Sequence, residues 1–301
     1  IVTVLTLSLV GPIAALLVTW LPVILSISVD PDDADAATTI SMLRTSPDPE
    51  VLRELRSIGV GAPRYGAWED DEVVAAADEL FAGRYILGGR SASVTLPFDG
   101  DAEVFGILGW DLHLCSFIVP GLLAQAFEIT EDEKYLLAAV EYVLAWADFE
   151  SSLWIPRGYV FNDHAKAARA IILTEIWRLY RGSTIYDDAD AIELVRYADR
   201  LRQLLSKPEF FEYRTNHGFM QSLSLLHLAI AFPALEESGD YASLALGRVT
   251  SQLPYYINEE GVILEHSAGY HINGLHRLAA TWRYLGLLQR PVPDDLADRY
   301  E

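Results

Sequence analysis

From about residue 71 onward, apolar positions recur at the 3.6-residue spacing of α-helices and keep doing so to the end of the chain. Thr130-Glu-Asp-Glu133 has the form of a capping box, a hydroxyl followed three residues later by a carboxylate. Behind it Leu136, Val140, Val143, Leu144 and Ala147 form one helical stripe. Ala165–Tyr180 predicts a second helix, stopped at Arg181-Gly182. A third runs over Ala189–Leu205, with Ile192, Val195, Ala198, Leu201 and Leu205 on one face. Phe219–Ala231 is apolar nearly all round, which predicts a helix buried on every side. Tyr241–Tyr256 and Ile272–Leu288 complete the series. Strand material is short: Tyr85–Leu87, Ser93–Leu96 and Val262–Leu264. Amphipathic helices alternating with a fully apolar one predict an all-α fold built as an (α/α) toroid of antiparallel helix pairs. There are too many helices for one four-helix core.

The chain before this body divides in two. Residues 1–29 carry no charged side chain, a run longer than the ~20 residues that span a bilayer. They predict a membrane-type helix, a transmembrane anchor or else a long signal segment, and place the rest of the chain outside the cytoplasm. Ile1 stands where a Met would, and no basic residue precedes the run, so orientation has no flanking charge to set it. Residues 30–70 begin with the acidic DPDDADA and are punctuated by Pro47, Pro49 and Pro63. They predict a linker in which only Ile40–Leu43 and Val51–Ile58 look helical. The domain itself is 71–301.

Charge narrows the function. Twenty-two Lys and Arg against 43 Asp and Glu give a net charge of −21 among 301 residues. Phosphate binding runs on Lys and Arg, so nucleic acid is excluded as a partner. The single cysteine, Cys115, excludes an internal disulfide and any zinc site that needs two or more cysteines. GxGxxG after a strand, GxxxxGK[ST], HExxH and GxSxG are absent. His266/His271 and His271/His276 are five apart and point to different helix faces, so no local two-histidine metal site is expected. The acidic pairs Asp187-Asp188 and Glu236-Glu237 lie in polar turns and read as solvated charge.

Two segments concentrate polar chemistry. Thr215-Asn-His-Gly-Phe-Met-Gln221 opens the most apolar helix. Asn216 there is either an N-cap or a group facing a cavity, Gly218 has the place of a close-packing residue, and Gln221 shares the face of His217. The second is Asn258-Glu-Glu-Gly-Val-Ile-Leu-Glu-His-Ser-Ala-Gly-Tyr-His271, a turn leading into the last long helix. His266 and Tyr270, four apart, face together, although a buried tyrosine seeking one hydrogen-bond partner fits the same pattern.

Taken together, these segments resemble the heparinase II/III-like polysaccharide lyases. The resemblance also runs through Ala77–Arg84 with Tyr85-Ile-Leu-Gly, through Trp110-Asp-Leu-His113, and through Phe161-Asn-Asp-His-Ala-Lys-Ala-Ala-Arg169. It covers roughly 71–301 and implies an incomplete (α/α) toroid. In that family a β-sandwich domain follows the toroid and contributes a further histidine, which makes this chain a truncated lyase by expectation. No cofactor is implied for this portion.

The implied reaction is β-elimination on a uronic-acid polysaccharide. A proton leaves C5, α to a carboxylate, the glycosidic oxygen leaves from C4, and a C4–C5 double bond forms. The resemblance carries over Asn216 and His217 to neutralise the charge building on the carboxylate, and Tyr270 to protonate the leaving oxygen. The base is Tyr270 itself or a histidine, His217 first, according to whether the elimination is syn or anti. Gln221, His271 and His164 are candidate substrate contacts. Trp110, Trp154 and Tyr159 are candidates for stacking on sugars, and Arg157, Lys166, Arg169 and Arg214 for binding carboxylate or sulfate. Two other classes compete: a glycoside hydrolase on an (α/α) toroid, needing two opposed carboxylates, and a non-catalytic, membrane-tethered carbohydrate-binding or scaffold protein.

Overall fold

Ten of the twelve residues of the apolar stretch from Gly218 to Ala229 have no polar side chain larger than a hydroxyl, and that stretch forms the innermost helix of a computed structural model. The structure describes residues 33–58, 68–87, 90–101, 109–153, 157–264, 267–294 and 296–297. The expected anchor over 1–29 lies outside the described residues, and no described helix is long and apolar enough to cross a membrane.

In chain order the helices are α1 (Asp33–Leu43), α2 (Pro49–Ile58), α3 (Asp70–Phe81), α4 (Trp110–Cys115), α5 (Ile118–Thr130), α6 (Glu133–Ser152), α7 (Asp163–Tyr180), α8 (Asp188–Ser206), α9 (Asn216–Ala231), α10 (Ser238–Tyr256) and α11 (Ala268–Leu287). A two-stranded antiparallel hairpin, β1 (Arg84–Leu87) and β2 (Arg90–Ser93), follows α3. The inner helices are α5, α7, α9 and α11, each packed on the next. Outside them run α6, α8 and α10, also packed in succession. The chain alternates between the two layers, so each inner–outer pair is antiparallel and the inner helices are parallel. This is the expected helical toroid.

Burial follows the apolar pattern. Every residue of α9 except His217 is buried. In α7, thirteen of its eighteen residues are buried, because it packs on α9, α8, α6 and α5. Phe98, Phe117, Tyr142, Trp146 and Tyr197 form a continuous aromatic cluster between α5, α6 and α8.

Two helix starts differ from the sequence reading. Asp132, not Thr130, caps α6, accepting from the Lys134 N–H at 3.1 Å. Thr130 closes the preceding helix, its hydroxyl donating to the Ala126 carbonyl. Likewise Thr215, not Asn216, caps α9, accepting from the Gly218 N–H at 3.1 Å. A hydroxyl or carboxylate one residue away competes for the same orphan N–H groups, and spacing alone does not choose between them.

The stretch 30–70, expected as a linker, is folded over 33–58. Leu43, Leu52 and Leu55 are fully buried, α1 packs on α8, and α2 lies against α7, α9 and α11. Arg181 donates to the carbonyls of Leu43 and Pro47 at 3.1 and 2.9 Å. Arg56 of α2 pairs with Glu128 near the end of α5 and with Glu175 near the end of α7, and Glu54 pairs with Arg283 near the end of α11. The helix α2 thus closes the C-terminal ends of the inner helices, opposite the N-terminal ends at which His217 and Tyr270 are partly exposed.

Candidate active site

His217 is the second residue of α9, Asp163 the first and His164 the second of α7. Because α7 and α9 are parallel neighbours, their first turns meet at the same end. The His217 Nδ1 lies 2.5 Å from the Asp163 carboxylate. The ring of His164 stands edge-on to that of His217, with centroids 4.1 Å apart and an interplanar angle of 76°. Asp163 is largely buried while His217 keeps 42% of its side chain exposed. With Nδ1 held by the carboxylate, the other ring nitrogen, Nε2, is left for a ligand. Burial pushes the His164 imidazole below its ordinary range, and His217 and Arg277 of α11 push it the same way against Asp163. Asn216, beside His217, is buried at the same helix mouth. Both first turns also present backbone N–H groups and the positive ends of helix dipoles, which favour an anionic ligand.

Tyr270 lies in the first turn of α11, which Ser267 caps by accepting from the Tyr270 N–H. Its ring is 47% exposed, and among the described residues its hydroxyl makes no hydrogen bond to His217 or Asp163. His271 is half-buried and its Nδ1 accepts from the Ile263 N–H at 3.4 Å, steadying the turn before α11. His266 and Trp154 lie outside the described residues. Among the described residues no cluster of three or more His, Cys, Asp or Glu side chains is arranged to hold a metal ion.

Four expected substrate contacts belong instead to the core. Gln221 is fully buried; its Oε1 accepts from the Glu212 N–H at 3.0 Å and its Nε2 donates to the Phe210 carbonyl at 2.5 Å. Arg169 is fully buried, paired with Glu150 at 3.2 Å and donating to the Val160 carbonyl. Glu150 also accepts from Trp146, Tyr197 and Arg200, so the whole group is one internal network. Trp110 is buried against Tyr85, ring centroids 4.9 Å apart. Lys166 is buried with its ammonium 4.0 Å from the centre of the Phe210 ring, and burial drives its pKa down to about 7. These side chains sit on the inward faces of α4, α7 and α9, and residue type alone does not distinguish an inward from a mouth-facing position.

Arg157 is half exposed but donates to the Gly100 carbonyl at 2.8 Å. Tyr159 packs partly on the core. Arg214 stays exposed, its guanidinium carbon 3.8 Å from the centre of the Tyr255 ring. Asp163 lies within the Phe161–Arg169 motif but has no role predicted from the sequence, and neither has Arg277. An aspartate directly before a histidine at a helix start is the only local signal for the first, and Arg277 has none.

A heparan sulfate lyase, HepC from Pedobacter heparinus, superposes with a TM-score of 0.68 at 14% identity, over 88% of this chain and 46% of that one. A mutant of that lyase gives 0.64 at 15% identity, over 76% and 37%. A heparinase III with methylated lysines gives 0.59 at 12% identity, over 87% and 48%. At such identities the likeness is one of fold, and the chain spans less than half the length of each. No curated protein matches the sequence significantly. The Heparinase II/III N-terminus family model matches residues 99–291, which hold α4 to α11 and with them Asp163, His164, Asn216, His217 and Tyr270. The chain therefore belongs to the heparinase II/III family, of which it carries the N-terminal helical region.

Proposed function

We propose that this chain is the helical part of a polysaccharide lyase that cleaves uronic-acid-containing chains by β-elimination. The observation that carries the reading is the His217–Asp163 pair against His164 at the N-terminal ends of two parallel inner helices. Such a mouth suits a carboxylated sugar: N–H groups and helix dipoles face the anion, and Asp163 fixes the ring of His217.

Elimination removes the C5 proton, and the electron pair moves to form the C4–C5 bond while the C4–oxygen bond breaks. Charge builds on the sugar carboxylate during proton removal. Asn216 and His217, adjacent at the mouth, are the groups assigned to stabilise it. Tyr270, exposed on the rim, is assigned to protonate the departing oxygen. Where His217 is the base, Asp163 stabilises the imidazolium that proton transfer creates. The net charge of −21 does not bar an acidic substrate, since exposed charges beyond ~8 Å are largely screened at physiological salt. With residues 1–29 as anchor or signal segment, the reaction takes place outside the cytoplasm.

The test is incubation with heparan sulfate, chondroitin, hyaluronan and alginate, following ultraviolet absorbance of the unsaturated uronate. Absorbance that rises with each new reducing end supports elimination. New reducing ends without absorbance mean a hydrolase, and binding without either means a carbohydrate-binding protein.

A further inference from the structure

The loop of residues 207–215 joins α8 to α9 and carries Arg214 three residues before His217. At its tip Tyr213 is 46% exposed, and Tyr255 in the last turn of α10, 45% exposed, stands beside it with ring centroids 6.1 Å apart. Between them lies Arg214, its guanidinium carbon 3.8 Å from the Tyr255 ring centre and 5.3 Å from that of Tyr213. Arg214 makes no ion pair among the described residues, although the chain carries 43 carboxylate side chains. It also adopts a left-handed backbone, φ 63°, which non-glycine residues hold only where the surroundings impose it.

Those surroundings are built from beneath. Gln221 ties down both Glu212 and Phe210. The Thr215 hydroxyl donates to the Glu212 carbonyl at 2.8 Å. Gly218 comes so close that a Cβ there would stand 2.0 Å from the Glu212 oxygen. Arg248 holds the Leu205 carbonyl at 2.7 Å and lies 4.1 Å from the centre of the Phe211 ring. The loop tip carrying Tyr213 and Arg214, with Tyr255 of α10 against it, is thus held from beneath by Gln221, Thr215, Gly218 and Arg248.

We propose that Tyr213, Arg214 and Tyr255 form a rigid subsite for an acidic sugar unit, carboxylated or sulfated, flanking the bond to be cleaved; this rests on the lyase reading. Stacking on Tyr255 sets the plane of the guanidinium and leaves its edge N–H groups free for bidentate contact with carboxylate or sulfate. The exposed tyrosine faces offer stacking surface to a sugar ring. Three residues of backbone span at most ~11 Å, so the subsite lies within reach of a neighbouring unit of the polymer bound at His217.

Binding of a heparan sulfate hexasaccharide, and of the same hexasaccharide desulfated and carboxyl-reduced, is measured on wild type, Arg214→Gly and Arg214→Lys. The subsite predicts that Arg214→Gly weakens binding of the acidic form roughly 10-fold, with Arg214→Lys between it and wild type. Binding of the neutral form, weaker from the start, stays within about twofold. The melting temperature holds or rises, since glycine accepts φ 63° without strain. Unchanged acidic binding in Arg214→Gly, no binding by wild type, or a fall in melting temperature overturns the proposal. The last would show that Arg214 holds the loop and not a ligand. Binding lost in Arg214→Gly by a chain that forms no unsaturated product keeps the subsite and sinks the lyase reading. Unsaturated product formed at unchanged KM by Arg214→Gly does the reverse.

Discussion

Replacing Gln221 by Leu tests whether the loop before the candidate site is strapped from inside. The side chain is fully buried and makes two hydrogen bonds, from the Glu212 N–H and to the Phe210 carbonyl. Leucine has nearly the same volume, so the change removes both bonds without opening a large cavity. Two backbone groups then each lose the bond to this side chain. A lost buried hydrogen bond costs about 1–3 kcal/mol, and the bond to the Phe210 carbonyl stands at the upper part of that range because it is buried. The Glu212 N–H belongs to an exposed residue and regains some water, which puts it near the lower end. Removing a polar amide from the core returns about 1 kcal/mol. The balance is a destabilisation of about 2–3 kcal/mol. Urea unfolding followed by both circular dichroism and tryptophan fluorescence measures it. Ser224→Ala, one turn further along the same buried helix, is the internal control. The Ser224 hydroxyl is buried and has no hydrogen-bond partner among the described residues, so its loss should cost under about 0.5 kcal/mol or stabilise slightly. A Gln221→Leu protein as stable as Ser224→Ala would refute the strap, and with it the rigidity claimed for the Arg214 tip.

Gly218→Ala places a Cβ 2.0 Å from the Glu212 oxygen and 2.8 Å from Gln252; a loss of at least 1–3 kcal/mol is expected in urea unfolding, and a wild-type midpoint would contradict the close packing. Lys166→Met should raise the melting temperature most near neutral pH. Burial lowers the folded pKa of Lys166 from 10.5 to about 7, so between those values the unfolded chain holds a proton that the folded chain lacks, and wild-type stability rises with pH across that window. The advantage of the Met variant should therefore shrink as pH rises from about 7 toward 10.5, and a gap independent of pH would refute a buried amine. If the chain eliminates uronides, Tyr270→Phe should lower kcat roughly 10²–10⁴-fold and Asn216→Ala roughly 10²–10³-fold, both with the fold intact by circular dichroism. A Tyr270→Phe protein of near-wild-type turnover would move the acid role to another group.

The helices were legible because each needs only local information. Apolar side chains spaced to share one face declare a helix whatever it packs on, and the runs ending at Tyr180, Leu205, Ala231, Tyr256 and Leu288 match observed helices to within a few residues at each end. A stretch as apolar as Phe219–Ala231 also announced its own complete burial. Asn216, His217 and Tyr270 came from a resemblance carried by short motifs, which local sequence preserves.

What the sequence left open depends on contacts between residues far apart in the chain. Asp163 and His217 are separated by 54 positions and meet because α7 and α9 are parallel neighbours. Arg169, Trp110 and Gln221 were candidates for the site by residue type, yet each points inward, and only the packed structure reveals Glu150, Tyr85 and the Glu212 backbone waiting there. The acidic, proline-punctuated stretch 30–70 looked like a tether because its composition is polar, yet 33–58 of it is folded. Its few leucines find a ready surface across the C-terminal ends of the inner helices, and arginine pairs fix it there. Periodicity determines which face of a helix is buried; the partner of each polar group on that face is decided only when the helices assemble, because its free energy depends on what desolvates it and what stands opposite.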